Sequence, residues 1–187
     1  VNLSPRQLAD PALVTNVAGH IARAGIDPHA LILEITETAL MDNVETAVGV
    51  LGQLKEINTR LAIDDFGTGY SSLGYLKRLP VDMLKIDRAF VSGLEVELRA
   101  WAIPAAIVLL AESLGLDVVA EGVEKTNQLR QLQRLRCRLG QGFLFSRPLA
   151  AHEIEGRFPS LEVPLESPEG STNGAGRSRW AGWGVRA

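Results

Sequence analysis

An α/β fold with a parallel sheet, arranged as a TIM-like (β/α) barrel, is the class this sequence predicts, on three observations. Short apolar runs alternate along the chain with segments of 3.6-residue hydrophobic period. The runs are almost continuously apolar, as in strands covered on both faces. Polar residues follow run after run: Asn2, Glu34 and Glu37, Asp64 and Asp65, Lys85 and Asp87, Glu121 and Glu124, and Gln141. Helix-linked parallel strands form either an open doubly wound sheet or a closed eight-unit barrel that gathers many strand ends on one rim. The recurrence of polar strand ends favours the barrel. At about 31 residues per unit in a barrel of roughly 250 residues, about six of eight units are expected here, with about two missing from the front.

The strand candidates are Val1 to Leu3, Leu31 to Ile35, Leu61 to Ile63, Met83 to Ile86, Val118 to Ala120 and Gly142 to Phe145. Asp10 and Pro11 read as cap and first turn of a helix whose apolar face is Leu13, Val14, Val17 and Ile21, stopped near Gly25. A second stripe, Val44, Ala47, Val48, Leu51, Leu54 and Ile57, ends at Asn58, a tolerable left-handed terminator. Ile107, Leu110, Ala111 and Leu114 form a third, ending at Gly115, with Pro104 in its first turn. Leu129, Leu132 and Leu135 form the fourth.

Composition narrows the function classes. The chain has 187 residues, 46% hydrophobic and 22% charged, with a net charge of −3, which suits one ordinary domain. That balance gives no electrostatic case for binding a DNA or RNA duplex, which needs clustered Lys and Arg. Cys137 is the single cysteine, so intrachain disulfides are excluded and a reducing, cytoplasmic setting is expected. The longest apolar stretch, Trp101 to Ala111, contains Pro104 and falls far short of the roughly 20 residues of a membrane span, so this segment is expected to make no membrane contact. Beyond Phe158, Pro159, Pro164 and Pro168 precede a Gly-, Ser- and Arg-rich end that includes Trp180 and Trp183. The expected division is therefore a folded part over 1–158 and a disordered tail over 159–187.

The stretch Ile63 to Ser72 is the most informative. Asp64 and Asp65 end an apolar run, and adjacent carboxylates repel unless a cation compensates them. Gly67 and Gly69 follow at once and allow backbone amides to approach an anion. Each polar residue taken alone also has a plain structural reading. Asn2 suits a turn, Glu34 and Glu37 could face water from an alternating strand, and Asp87 beside Arg88 suits a local ion pair or helix cap. Glu124 beside Thr126 could cap the next helix. Lys85 between Leu84 and Ile86 could point either way. Convergence of all of them at one rim points to metal-assisted chemistry on a phosphate.

Six motifs in order carry a resemblance to a known family: Val1-Asn2-Leu3-Ser4; Glu34-Ile35-Thr36-Glu37; Asp64-Asp65-Phe66-Gly67-Thr68-Gly69-Tyr70-Ser71-Ser72; Leu79-Pro80-Val81-Asp82 with Leu84-Lys85-Ile86-Asp87; Ala120-Glu121-Gly122-Val123-Glu124; and Gln141-Gly142-Phe143 through Arg147-Pro148. The chain resembles, over about Val1 to Leu149, the EAL-type phosphodiesterases that hydrolyse cyclic di-GMP. The resemblance implies that Asn2, Glu34 and Asp64 are ligands of one divalent cation, Mg2+ or Mn2+, and Asp65 a ligand of a second. It implies that Lys85 orients the attacking water and offsets phosphoryl charge, and that Glu121 is the general base or its water-bridged equivalent. Glu37 and Glu124 would hold the Asp65 loop, and Gln141 would sit beside the water. The partners implied are cyclic di-GMP and an upstream sensory or cyclase domain. A homodimer is open by analogy, as is membrane anchoring of the parent protein.

The Glu-Ala-Leu signature that names the family, and an arginine near it, are not in these 187 residues. The segment alone is therefore expected to be inactive and poorly folded, with open sheet edges. A cyclic di-GMP receptor that binds without hydrolysis is the alternative function. A barrel aldolase with Lys85 as Schiff-base amine is a weaker third, because carbonyl chemistry has no need of so many acids.

Overall fold

The computed structural model describes residues 1–41, 44–69, 73–95, 98–150, 152–154 and 184–185. Its strands are β1 (Ile32–Thr36), β2 (Arg60–Phe66), β3 (Met83–Ile86), β4 (Asp117–Ala120), β5 (Leu139–Gly140) and β6 (Gly184–Val185). They form one sheet in that order, every pair parallel. Asn2 joins the outer side of β1 by a single parallel bridge to Glu34. The helices are α1 (Pro5–Leu8), α2 (Leu13–Ala24), α3 (Glu37–Met41), α4 (Val44–Glu56), α5 (Leu73–Leu76), α6 (Arg88–Ser92), α7 (Ala102–Leu114) and α8 (Thr126–Arg134).

Sequential strand order is the singly wound pattern of a (β/α) barrel; a doubly wound sheet would reverse direction part-way. The two faces of the sheet differ accordingly. On one, Leu33, Ile35, Leu61, Ile63, Leu84, Ile86 and Ala120 join Leu40, Leu51, Leu54, Ile107, Ala111 and Leu132 from the helices in a single buried cluster. On the other, Ala62, Met83 and Val119, flanked by Ile32 and Leu139, form a small separate layer. Two residues further along their strands, Glu34, Asp64, Lys85, Glu121 and Gln141 have the same parity and therefore share that second face. Fold and chemistry thus occupy opposite sides of one sheet.

Four of the predicted strands lie where expected, Met83 to Ile86 with the same bounds and the other three with ends shifted by one residue or more, and the predicted first strand is reduced to the bridge at Asn2. The sixth is a correction. Gly142 to Phe145 is a turn, and the fifth named strand comes earlier, at Leu139–Gly140. Gly142 lies against the backbone of Val123, where any Cβ would collide. Val123 N–H donates to Gln141 O at 3.0 Å and Leu144 N–H to Val123 O at 2.9 Å, so the chain turns over the end of β4 instead of extending. Phe143 is half-exposed with the Arg147 guanidinium over its ring.

Two predicted caps also moved. Asp10 and Pro11 form a turn rather than opening α2; the Asp10 carboxylate accepts from Ala12 N–H at 2.9 Å and the helix begins at Leu13. Ahead of α8 the Gln128 side chain, not Glu124, satisfies the free amides, accepting from Glu124 N–H at 2.8 Å and Lys125 N–H at 2.9 Å. The predicted left-handed terminators are present at Gly25, Asn58 and Gly115. Pro104 sits in the first turn of α7, where its missing N–H costs nothing. Cys137 is buried, which pushes its thiol up to about 12. Among the described residues, no helix is long and apolar enough to cross a membrane. The tail expected to be disordered lies outside the described residues except at Gly184–Val185, which pair with β5.

At the opposite end of the strands from the polar cluster, Asp82 ties four elements together. Its carboxylate accepts from Lys55 Nζ at 2.7 and 2.9 Å and from Leu61 N–H at 2.8 Å. Its own N–H donates to Leu61 O, and its carbonyl accepts from Asp117 N–H. Asp82→Ala leaves the Leu61 amide and the Lys55 ammonium without their acceptor. We expect a loss of about 1–3 kcal/mol, read as a lower urea midpoint with an unchanged slope.

Candidate functional site

Lys85 is the centre of the inner face. Held on β3 between Leu84 and Ile86, which point into the outer core, its side chain must point inward, and it is only 4% exposed. Nζ lies 2.8 Å from Glu34 Oε2 on β1, 3.0 Å from Asp64 Oδ1 on β2 and 2.5 Å from Glu121 Oε1 just after β4. The contact with Glu34 is a hydrogen bond and those with Asp64 and Glu121 are close ion pairs, so carboxylates from three strand ends meet on one ammonium. Burial alone would push the Lys85 ammonium down, but the carboxylates of Glu121, Glu34 and Asp64 outweigh it and hold it above the ordinary lysine range. Burial pushes Glu121 up, with Lys85 opposing and the charges of Asp64 and Glu34 adding to the rise.

Strict strand alternation would put Asp65 on the opposite face from Asp64, and a bulge prevents this. Ile63 is in register with Leu84 and Phe66 with Ile86, so three steps on β2 match two on β3. Asp65 takes the extra place with φ of 53°, a left-handed conformation tolerated by aspartate better than by most residues. One oxygen each from Asp64, Asp65 and Glu121 then lies within 4.8 Å of the others. Phe66 returns to the outer core beside Ile86.

Glu37, the first residue of α3, clamps this loop from beneath. Its carboxylate is 2% exposed and accepts from Gly67 N–H at 2.8 Å. A Cβ at position 69 would sit 2.9 Å from Glu37 Oε1, so a larger residue there would require the carboxylate to shift. Thr68 Oγ1 donates to the Asp65 carbonyl at 2.8 Å, closing the turn.

The remaining candidates are placed less closely. Asn2 pairs in register with Glu34 and so shares its face at the sheet edge. Gln141 joins Glu34 and Lys85 in lining a cavity of about 370 Å3 floored by Ile32, Met83 and Val119. Glu124 is exposed, and the capping beside it belongs to Gln128. Asp87 is the residue that sequence reasoning set aside as a cap. It does cap α6, accepting from Ala89 N–H at 2.6 Å, and it also lies beside Asp65, whose carboxyl it helps to raise. Its spacing of two from Lys85 at a strand end was the available signal.

A family model described as the EAL domain matches residues 1–148. The chain is 43% identical over 175 residues to the cyclic di-GMP phosphodiesterase NbdA of Pseudomonas aeruginosa, covering 94% of this chain and 22% of that protein. It is 46% identical over 154 residues to the bifunctional diguanylate cyclase/cyclic di-GMP phosphodiesterase MucR of the same species, covering 82% and 22%. The chain thus spans about a fifth of the length of these curated relatives. Among solved structures, the PaMucR phosphodiesterase in complex with c-di-GMP superposes with a TM-score of 0.79 at 46% identity, over 82% of this chain and 62% of that one. Klebsiella pneumoniae BlrP1 with manganese and cyclic di-GMP at pH 9.0 gives 0.75 at 40%, over 79% and 38%.

The electrostatics of Asp65 have a measurable consequence. Burial, the contact with Asp87 and the charge of Asp64 hold its carboxyl above the ordinary range, with Lys85 opposing. The folded chain therefore keeps this proton to higher pH than the unfolded chain does. The stability it contributes is present at low pH and lost as pH rises through the folded value. Asp65→Asn removes that loss and tolerates the left-handed φ. We expect a higher melting temperature without divalent cations at neutral pH, the gap to the wild type closing as pH falls through the carboxylate range.

Proposed function

This chain belongs to the EAL domain family, and on that premise we propose that the full-length protein carrying it hydrolyses one phosphodiester of cyclic di-GMP to the linear dinucleotide with the help of divalent cations, the segment alone being inactive. The observation that carries the proposal is the Lys85 ammonium set among Glu34, Asp64 and Glu121, with Asp65 turned toward the same rim. The complexes of PaMucR with c-di-GMP and of BlrP1 with manganese and cyclic di-GMP support the ligand and the cation class. The donor set fits hard dications: the candidate ligands Asn2, Glu34, Asp64 and Asp65 offer only oxygen when the asparagine binds through its carbonyl. Asn2, Glu34 and Asp64 are proposed to hold one cation and Asp65 a second, Mg2+ or Mn2+ serving in either place. Such cations supply charge for the phosphoryl oxygens and acidify the attacking water.

The protein groups then divide the remaining work. Glu121, raised by burial, is proposed to take the proton from the attacking water as general base. Lys85 donates hydrogen bonds toward the phosphoryl oxygens as negative charge grows there. Lys85 also orients the attacking water, and Gln141, which lines the cavity, sits beside it. Glu37 keeps Asp65 in place through Gly67 and acts only through that loop. A sensory or cyclase domain elsewhere in the parent protein, as in the bifunctional relative MucR, is the partner this reading implies.

The test is chromatographic quantification of the linear dinucleotide from cyclic di-GMP with Mg2+ or Mn2+, using the full-length protein. Turnover is expected to stop on chelation and return with added cation. Asp64→Asn and Glu34→Gln should each lower it by more than the roughly 10–100-fold typical of disturbing even an outer partner of a metal ligand. Tight binding with no product from the wild type would assign the receptor function instead.

A further inference from the structure

We propose that Lys85 is a resident counter-cation that sets the site's affinity for divalent metal: its ammonium occupies the space between Glu34, Asp64 and Glu121 that a dication would otherwise neutralise. The inference rests on reading these carboxylates as facing the metal site, and it goes beyond that reading by assigning Lys85 an opposing role in cation binding. The ammonium lies 2.8, 3.0 and 2.5 Å from carboxylate oxygens of Glu34, Asp64 and Glu121, which come from three different strand ends. The carboxylates are themselves well shielded, with side chains 23%, 15% and 20% exposed, so water screens the group poorly. Three half-buried carboxylates with no cation would repel one another and splay the strand ends. Lys85 prevents that and leaves the site already shaped. The same contacts oppose metal, because a dication claiming these oxygens meets a fixed positive charge that must give up ion pairs to make room. An incoming phosphate offers the ammonium a replacement partner, so substrate and cation should each strengthen the binding of the other.

The experiment is a calorimetric Mn2+ titration of the full-length protein and its Lys85→Met, Lys85→Gln and Lys85→Arg variants without nucleotide, with melting temperatures measured with and without Mn2+. Lys85→Met and Lys85→Gln are expected to bind Mn2+ about tenfold tighter or more, to melt lower than the wild type without cation and to gain more on saturation. Lys85→Arg, which keeps the charge, should bind no tighter than the wild type. Equal or weaker Mn2+ binding by both neutral variants, with the wild type binding normally, would overturn the counter-cation role while leaving the ligand reading intact. No Mn2+ binding by the wild type or any variant would remove both. Should a neutral variant fold only with Mn2+, the proposal is upheld; failure of both to fold even with Mn2+ would make the lysine a structural requirement and refute it.

Discussion

The ammonium of Lys85 between three carboxylates is the interaction on which the inner face depends. Glu34, Asp64 and Glu121 come from three separate strand units, and Lys85 is 51 residues from the first of them. No local turn could assemble them. Only parallel strands in register, each carrying its polar residue two residues beyond a shared apolar layer, bring them to one point. The geometry is demanding, because an ion pair removed from water offsets its desolvation only when every donor and acceptor is satisfied. Here all three carboxylates lie within ion-pair distance of the one ammonium, and the strands that supply the oxygens are fixed from behind by the outer core.

That outer core has to be large, because the rim works against it. The Asp64, Asp65 and Glu121 oxygens lie close together, and burial and mutual charge raise both Asp65 and Glu121. The left-handed Asp65 and the bulge beside it add backbone strain of the kind that collects at functional sites. Apolar burial offsets these costs: Leu33, Ile35, Ile63, Leu84 and Ile86 lie on the same strands as the acids and are almost wholly removed from water. Alternation along a strand permits this, giving one face to packing and the other to charge.

Much of this was legible in the sequence, and the omissions have physical causes. Strand and helix alternation, the left-handed helix ends at Gly25, Asn58 and Gly115, and the inward polar residues all follow from local rules of period and capping. Gly142 to Phe145 misled because Phe143, Leu144 and Phe145 have a strand's composition; the turn there is imposed by the approach of Gly142 to Val123, a tertiary contact with no local signature. Capping by Gln128 in place of Glu124 is of the same kind, since either residue is chemically able to accept those amides. Asp87 looked like a helix cap because it is one. Its second contact, to Asp65, depends on the bulge in β2, and nothing in the pair Asp64-Asp65 says which of the two will be turned by an extra residue.

The bulge explains why the second aspartate is followed by so particular a loop. To face the same rim as Asp64, Asp65 must leave the strand's alternation, and the residues after it must return the chain to the outer core within one step, which Phe66 does. The reversal leaves backbone amides without strand partners, and Glu37 accepts one of them from Gly67 while nearly sealed from water. Because α3 starts at Glu37, immediately after β1, the acid that steadies the loop and the acid that contacts Lys85 are three residues apart on one continuous segment. A shift of β1 along the sheet would displace Glu34 from Lys85 and Glu37 from Gly67 together. The register of a single strand therefore governs both the charge balance at the centre and the direction of the carboxylate beside it.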